Sequence, residues 1–344
     1  QETLAQFPEK SSSEVVRDLL RWNADLLFRV GREEDAALVL RDSLNLLDGS
    51  REQMLDIVDW LMVRRKWSLV DTVAQRFPET FTQDAQLSYR LAEAALKQGN
   101  TAEAERAAEQ ARQLSPEDAD EHIVTAYSLQ ERGMLPWAEA EYRLVIKLSE
   151  PGSLEDLRCR FLLSEMLHDH LQDLEAAKVL QDVVNRMDKD PAVMERVQKR
   201  LGRDPGGIRS RMHYFYGQHF AEQGQPAKEV EQYEQGIEHD PSDADLLIGM
   251  YRVPNPDPAF RKKTLDYIAD ATRIFREQVA EYEQQAEQAP REEFREWAYR
   301  QLAMAHNQLA WLVANTTGDY DEALRSSHRS LELRPGEAGY LDTL

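Results

Sequence analysis

Residues 85–118 read AQLSYRLAEAALKQGNTAEAERAAEQARQLSPED. Ala92 stands seven residues before Gly99 and Ala104 five after it. Small side chains at those two places let two antiparallel helices approach closely, and the glycine sits in the turn between them, so the stretch predicts a helix hairpin. The spacing returns every 34 residues. Gly31, Gly99 and Gly133 share the turn slot with Arg65. Ala24, Val58, Ala92 and Ala126 share the slot before it, and Ala36, Val70, Ala104 and Ala138 the slot after it. A phase held over four consecutive units predicts an all-α array of repeated hairpins.

Composition agrees with that reading and narrows the function. The 344 residues include only 15 Gly and 14 Pro, too few for an all-β domain with a turn every 8 to 12 residues. Sixty-three acids against 42 Lys and Arg leave a formal charge of −21. No Lys/Arg-rich run offsets that charge, so direct nucleic-acid binding is not expected. One cysteine, Cys159, excludes an internal disulfide framework. The longest apolar run, residues 309–314, is far short of the roughly 20 residues that cross a bilayer, so no membrane insertion is expected. The sequence starts at Gln1 without a signal-peptide pattern, which reads as a chain whose leader was removed or a piece of something longer. Compartment stays open between cytoplasm and export.

These slots resemble the tetratricopeptide repeat (TPR), whose pattern has a small residue at position 8, Gly near 15, Ala at 20, an aromatic or large residue at 24, Ala at 27 and Pro at 32. Residues 85–118 are the best copy, with Ala92, Ala95, Gly99, Ala104, Ala108, Ala111 and Pro116 in register. Residues 119–152 supply Ala126, Gly133, Ala138 and Tyr142, with Pro151 one place short. Another copy runs through Gly217, Phe220, Gly224, Tyr233 and Pro241, and one more through Gly318, Ala323, Leu331 and Pro335. Residues 17–50 and 51–84 are weaker copies. Around 159–191 the pattern returns after a slip, with Ala177 at position 20 and Ser164 a better small residue than Glu165. The resemblance implies a right-handed superhelical solenoid of antiparallel helix hairpins. It gives an N-terminal array over 1–191 of about five repeats, a linker over 192–209, and a C-terminal array over 210–344.

Two stretches break the period. Residues 192–209 carry a short helix pattern of Val193, Val197 and Leu201 into Gly202-Arg203-Asp204-Pro205-Gly206-Gly207, a turn-forming cluster read as loop. It lacks the Gly-Lys-Ser/Thr ending of a phosphate-binding loop, so a linker is expected there rather than an anion site. The second break begins at Pro254-Asn255-Pro256-Asp257-Pro258. After it, Leu265, Ile268, Thr272, Phe275, Val279, Tyr282 and Ala286 alternate steps of three and four, predicting one helix over 259–289. At 1.5 Å per residue it is roughly 45 Å long. A second helical pattern follows Pro290, so residues 259–314 predict an elongated hairpin. It reads as an extended repeat or, alternatively, as an arm for homo-oligomer formation. The end, GYLDTL at 339–344, resembles the opening of another repeat and suggests a truncated array whose exposed end is a second possible self-association surface.

Catalytic constellations do not emerge. His168 and His170 are two apart and point to different sides of a helix, and His213 and His219 also miss metal-ligand spacing. Cys159 lies in an apolar-periodic helix and reads as an inert buried thiol. Asp188 and Asp190 imitate a calcium loop, but Pro191 follows and the sixth-position glycine is missing. Asn315-Thr316-Thr317 matches a glycosylation acceptor too short to decide compartment. The expectation is a chain without enzymatic activity, metal or cofactor.

In TPR arrays the first helix of each hairpin lines a groove, and the resemblance implies groove candidates residue by residue. They are Arg21, Asp25 and Phe28; Tyr89, Glu93 and Lys97; Ile123, Tyr127 and Glu131; Arg211, Tyr214 and Gln218; and Asn307 with Trp311. Arg21 with Asp25, and Tyr89 with Glu93, replace the Lys and Asn of a carboxylate clamp. Tyrosines interleaved with acids suit an extended or helical peptide with apolar side chains and some positive charge. Trp22, Trp60, Trp67, Trp137 and Trp297 read as packing residues. The expected role is a protein- or peptide-binding scaffold similar to bacterial multi-repeat proteins. The alternatives are a self-assembling module or the regulatory segment of a larger multidomain protein.

Overall fold

The computed structural model describes residues 12–114, 118–341 and 343. Pro116 and Leu344 lie outside them. The described residues form helices and their connections, in two compact units that divide between Leu148 and Ser149.

The first unit holds α1 (Ser12–Arg29), α2 (Glu33–Leu44), α3 (Arg51–Val63), α4 (Trp67–Arg76), α5 (Pro78–Gln83), α6 (Ala85–Lys97), α7 (Thr101–Arg112), α8 (Ala119–Glu131) and α9 (Leu135–Leu148). Aspartates start two of the hairpins: Asp84 accepts the Leu87 N–H and Asp118 the Glu121 N–H, each satisfying a donor of the first helical turn. The hairpin turns are copies of one another. Gly31, Arg65, Gly99 and Gly133 have φ of 76°, 58°, 86° and 72°, the left-handed region. The next residue's N–H then reaches back five residues, Arg32 to Leu27, Lys66 to Leu61, Asn100 to Ala95 and Met134 to Leu129, at 2.9–3.0 Å. That bond caps the orphan carbonyls of the first helix and reverses the chain. All eight small-residue slots on the 34-residue grid are 0% exposed, so each hairpin closes on side chains no larger than valine.

The second unit holds α10 (Leu154–Asp169), α11 (Asp173–Lys189), α12 (Pro191–Glu195), α13 (Pro205–Glu222), α14 (Pro226–Ile237), α15 (Ala244–Arg252), α16 (Pro258–Gln288), α17 (Glu292–Asn315), α18 (Tyr320–Leu333) and α19 (Ala338–Leu341). The same turn recurs twice, around Leu171 (φ 59°) with Gln172 N–H to Leu167, and around Gly224 (φ 63°) with Gln225 N–H to Phe220. Leu171 places Ser164, not Glu165, in the small slot seven residues earlier, and Ser164 is fully buried.

Residues 192–209 lie inside the second unit; the short pattern of Val193 and Val197 is helical, and the loop reading of the 202–207 cluster fails from Pro205 onward. α12 continues into a π-helical turn, Arg196–Arg200, and Gly206 and Gly207 belong to the first turn of α13. Val193 and Val197 are buried, and Arg196 Nη1 donates to the Gly152 carbonyl at 2.9 Å, so this segment is packed. Asp204 accepts the Gly207 N–H at 2.7 Å, which puts a carboxylate where an anion would sit.

α16 has 31 residues and α17 has 24, against nine in α15. Along α16, Ile268, Thr272, Phe275 and Ala286 are buried, while Leu265 is exposed. Ile268, Phe275, Leu309, Leu312 and Val313 join one core with α14 and α15. At 1.5 Å per residue α16 spans roughly 45 Å and α15 roughly 14 Å, so the long pair overruns its neighbour.

Candidate partner-binding site

In the first unit several of the predicted groove residues are engaged with side chains of neighbouring hairpins. Asp25, Asp59, Glu93 and Tyr127 occupy one grid position, and Arg64, Gln98 and Arg132 another. Arg64 Nε donates to Asp25 at 2.7 Å and Arg132 Nε to Glu93 at 2.6 Å, each arginine reaching back to the preceding hairpin. Gln98 breaks the series and leaves Asp59 without its equivalent arginine. Arg90 Nε at 2.9 Å and Arg132 Nη1 at 3.0 Å take its place. The Arg64 hydrogen bond holds the Asp25 carboxyl below the usual range against the opposing effect of burial. Arg21 is buried and bonds Asp56 at 2.5 Å. Phe28 is half-buried, with the Lys66 ammonium 4.4 Å from its ring centre and Trp60 6.4 Å away.

Tyr89 corrects the sequence reading. It is 1% exposed, packs against Trp137, and donates its hydroxyl to Glu141. Glu141 also holds His122 Nδ1 at 2.5 Å, with both side chains buried. The Glu141 hydrogen bond raises the His122 pKa against desolvation, and burial pushes the Tyr89 phenol upward. Tyr89 is therefore part of an internal polar cluster and is not open to a ligand. Glu93 is likewise buried under Arg132, and Ile123 is core. Tyr127, 53% exposed, and Glu131 stay accessible.

The second unit arranges its polar residues differently. Glu165 on α10 pairs with Arg211 Nη2 on α13 at 2.7 Å. Arg211 Nη1 pairs with Asp245 on α15, and Asp245 Oδ1 accepts the Trp311 indole N–H of α17 at 2.7 Å. This line crosses four helices and accounts for two predicted residues, Arg211 and Trp311. Tyr214 is half-buried beside the Arg211 guanidinium, 5.2 Å from its ring centre, and its phenol pKa is raised by burial. Gln218 donates to the Tyr233 hydroxyl at 3.1 Å. Asn307 Oδ1 is buried without a hydrogen-bond partner among the described residues.

Beside that line lies a cavity of about 340 Å³. Its floor is the start of α15, with Asp240, Ser242, Asp243, Ala244 and Asp245; its walls are Phe275, Gln278 and Tyr282 of α16 and Gln301, Met304, Ala305 and Gln308 of α17. The long hairpin forms these walls because it continues past the short α15. Asp243 accepts Ser210 Oγ at 2.7 Å and caps Leu246 N–H, and burial pushes its pKa up to about 6. Asp240 accepts the Ser242 N–H and hydroxyl at 2.9 and 2.8 Å. Among the described residues no Lys, Arg or His lines the space. Sequence reading missed this site because three nearby aspartates do not stand out in a chain with 63 acids. The available signal was the contrast between a short segment before Pro254 and the unbroken pattern after Pro258.

The remaining sequence candidates are structural. Burial pushes the Cys159 thiol up to about 12. His168 Nδ1 bonds Asp173 at 2.5 Å, and Asp188 pairs with Arg209. No group of three His, Cys, Asp or Glu is placed to hold a metal ion, and no helix is long and apolar enough to cross a membrane, among the described residues. Trp137 is packed and Trp60 and Trp67 lie against the core, as expected. Trp22 at 68% and Trp297 at 48% exposure are more open than packing residues, although Trp297, near the tip of the long hairpin, meets Tyr282 with its ring.

No family model and no curated protein matches the sequence. Among solved structures, PilF of Pseudomonas aeruginosa is 18% identical over 75% of this chain and 96% of its own, with a TM-score of 0.28. The C-terminal part of a TPR repeat-containing protein from Cytophaga hutchinsonii is 11% identical over 84% of this chain and 98% of its own, at 0.29. The P58(IPK) TPR domain is 12% identical over 85% and 96%, at 0.21. On its own turns, small-residue slots and hairpin order, the chain is an all-helical repeat protein similar to tetratricopeptide arrays.

Proposed function

We propose that the chain is a noncatalytic scaffold that binds a protein partner, and that the cavity of the second unit receives a lysine or arginine side chain of that partner. The observation that supports this is the cavity lining: three aspartates, of which Asp245 already pairs with Arg211, and three glutamines, with no Lys, Arg or His in the lining itself. Carboxylates and amide oxygens accept from an ammonium or guanidinium, and Phe275, Tyr282 and Met304 offer apolar surface to its aliphatic stem. Hydrogen bonds to a charged group contribute about 1.5–3 kcal/mol each when well formed. A second copy of this chain carries −21 and brings like charge to the cavity, which disfavours self-assembly through it. In the first unit, Lys97, Tyr127 and Glu131 are groove candidates that remain open to a partner.

The test is an array of 12-residue peptides of varied charge, probed with the wild-type chain and with Met304→Lys, which places a cation at the cavity wall. Retention of Lys- and Arg-containing peptides by wild type, weakened at least tenfold in the variant, is the expected result. Equal capture of acidic and basic peptides defeats the reading.

A further inference from the structure

Five residues of α17, at 294, 297, 301, 304 and 308, follow steps of three and four and share one side of the helix. Phe294, Trp297 and Met304 on that side are 54%, 48% and 47% exposed. Large apolar side chains this open, spread over roughly 15 Å of one helix, are unusual on a helix that needs no partner. Trp297 is also held in place: its ring meets Tyr282 of α16 edge-on, with centroids 6.0 Å apart and planes at 83°. Tyr282 and Met304 both line the acidic cavity, so the row runs from the hairpin tip into it.

Charge selects the occupant. Between residues 277 and 300 the chain has seven glutamates against three arginines, and Asp243 and Asp245 lie at the inner end of the row. That surface repels a second acidic copy and an anionic lipid headgroup alike. It attracts a cationic segment. A row of alternating three and four steps presents the same contact pattern that an amphipathic helix offers in return. Aromatic residues with few rotatable bonds are the side chains that anchor such contacts.

We propose that the exposed side of α17 docks a basic amphipathic helix from another protein. Its apolar residues, spaced i, i+3/i+4, i+7, lie on Phe294, Trp297 and Met304, and a Lys or Arg beyond them enters the cavity. This rests on the reading of the cavity as a cation site and adds the form of the ligand that carries the cation. A row spanning 15 residues matches about four turns of partner helix.

The probes are three fluorescent 16-residue peptides: one with leucines at that spacing and a terminal lysine, one with the lysine replaced by glutamate, and one with the lysine kept and the leucines replaced by serine. Anisotropy titrations use the full chain, as wild type, as the surface variant Phe294→Ser/Trp297→Ser and as Met304→Lys, each checked for helix content by circular dichroism. Support is binding of the first peptide to wild type at least tenfold tighter than of either other peptide, with that advantage lost in Phe294→Ser/Trp297→Ser. If the serine peptide binds wild type and the double variant equally, and only Met304→Lys weakens it, the cavity reading stands and the docking row is refuted. If the first and glutamate peptides bind alike and both need Trp297, the cation reading fails, and with it this proposal. Binding to phosphatidylserine vesicles, or a dimer in sedimentation, that disappears in the double variant also overturns it.

Discussion

The first unit spaces its hairpins evenly; the second does not. In the first, the 34-residue grid sets an acid against an arginine of the next hairpin at Asp25 with Arg64 and Glu93 with Arg132, and Arg90 and Arg132 neutralise Asp59 where Gln98 interrupts the series. In the second, a nine-residue α15 sits beside a 31-residue α16, and the overrun opens a space walled by amides and carboxylates. Regular spacing lets polar residues satisfy one another, whereas a length mismatch leaves some facing a cavity. Inner polar residues of the first unit should accordingly govern stability, and those around the cavity should govern binding.

The largest effect expected is from Glu141→Ala. It leaves His122 and Tyr89 buried without their shared acceptor, and removing one partner of a buried pair costs about 3–5 kcal/mol. Urea unfolding followed at 222 nm measures it, and a loss below about 1 kcal/mol removes the stabilising role given to this cluster. The same pair sets a pH dependence. His122 has a folded pKa raised above its unfolded value near 6.5, so its contribution is complete below about pH 6.5 and is lost as the pH rises through the raised value. Wild type should lose stability as the pH rises above about 6.5, and Glu141→Ala should lose that slope.

Next is the small slot of the second unit. A Cβ at Gly217 would meet Tyr233 Cε1 at 2.1 Å, so Gly217→Ala should destabilise by about 1–3 kcal/mol despite its better helix propensity. Alanine already fills the equivalent slot in the first unit at Ala92, so an unchanged melting temperature for Gly217→Ala erases this difference between the units. Arg132→Met should cost about 1–3 kcal/mol, because Glu93 is left buried without its partner while Asp59 is partly solvated and keeps Arg90. Peptide binding by the second unit should not change in this variant. The smallest effect is a gain: Arg65 holds a φ of 58° that glycine adopts without a Cβ penalty, so Arg65→Gly should add about 0.5–1 kcal/mol in the same unfolding assay.

Much of the hairpin architecture was legible before the structure. The Arg65 slot, for example, turns the chain with the same hydrogen bond as Gly31, Gly99 and Gly133, because the grid around it supplies the same small contacts at Val58 and Val70. The 202–207 cluster was misread because Gly206 and Gly207 suggest a turn, while Asp204 as a cap and Pro205 in the first turn start a helix over them. Tyr89 was misread for a different reason. Its grid position faces the groove in the resembled family, but Glu141, 52 residues later, draws the hydroxyl inward.

By itself the sequence determined the hairpin period, the turn conformation and the long pair over 259–314. Those depend on contacts within one repeat, where spacing along the chain equals placement in space. Tertiary structure alone decided which polar residues face one another and which face open space. Asp245 and Trp311 meet across 66 residues, and the cavity beside them exists only because helices of unequal length are packed together. Accessibility depends on what packs on a residue from elsewhere in the chain, and no local pattern carries that information.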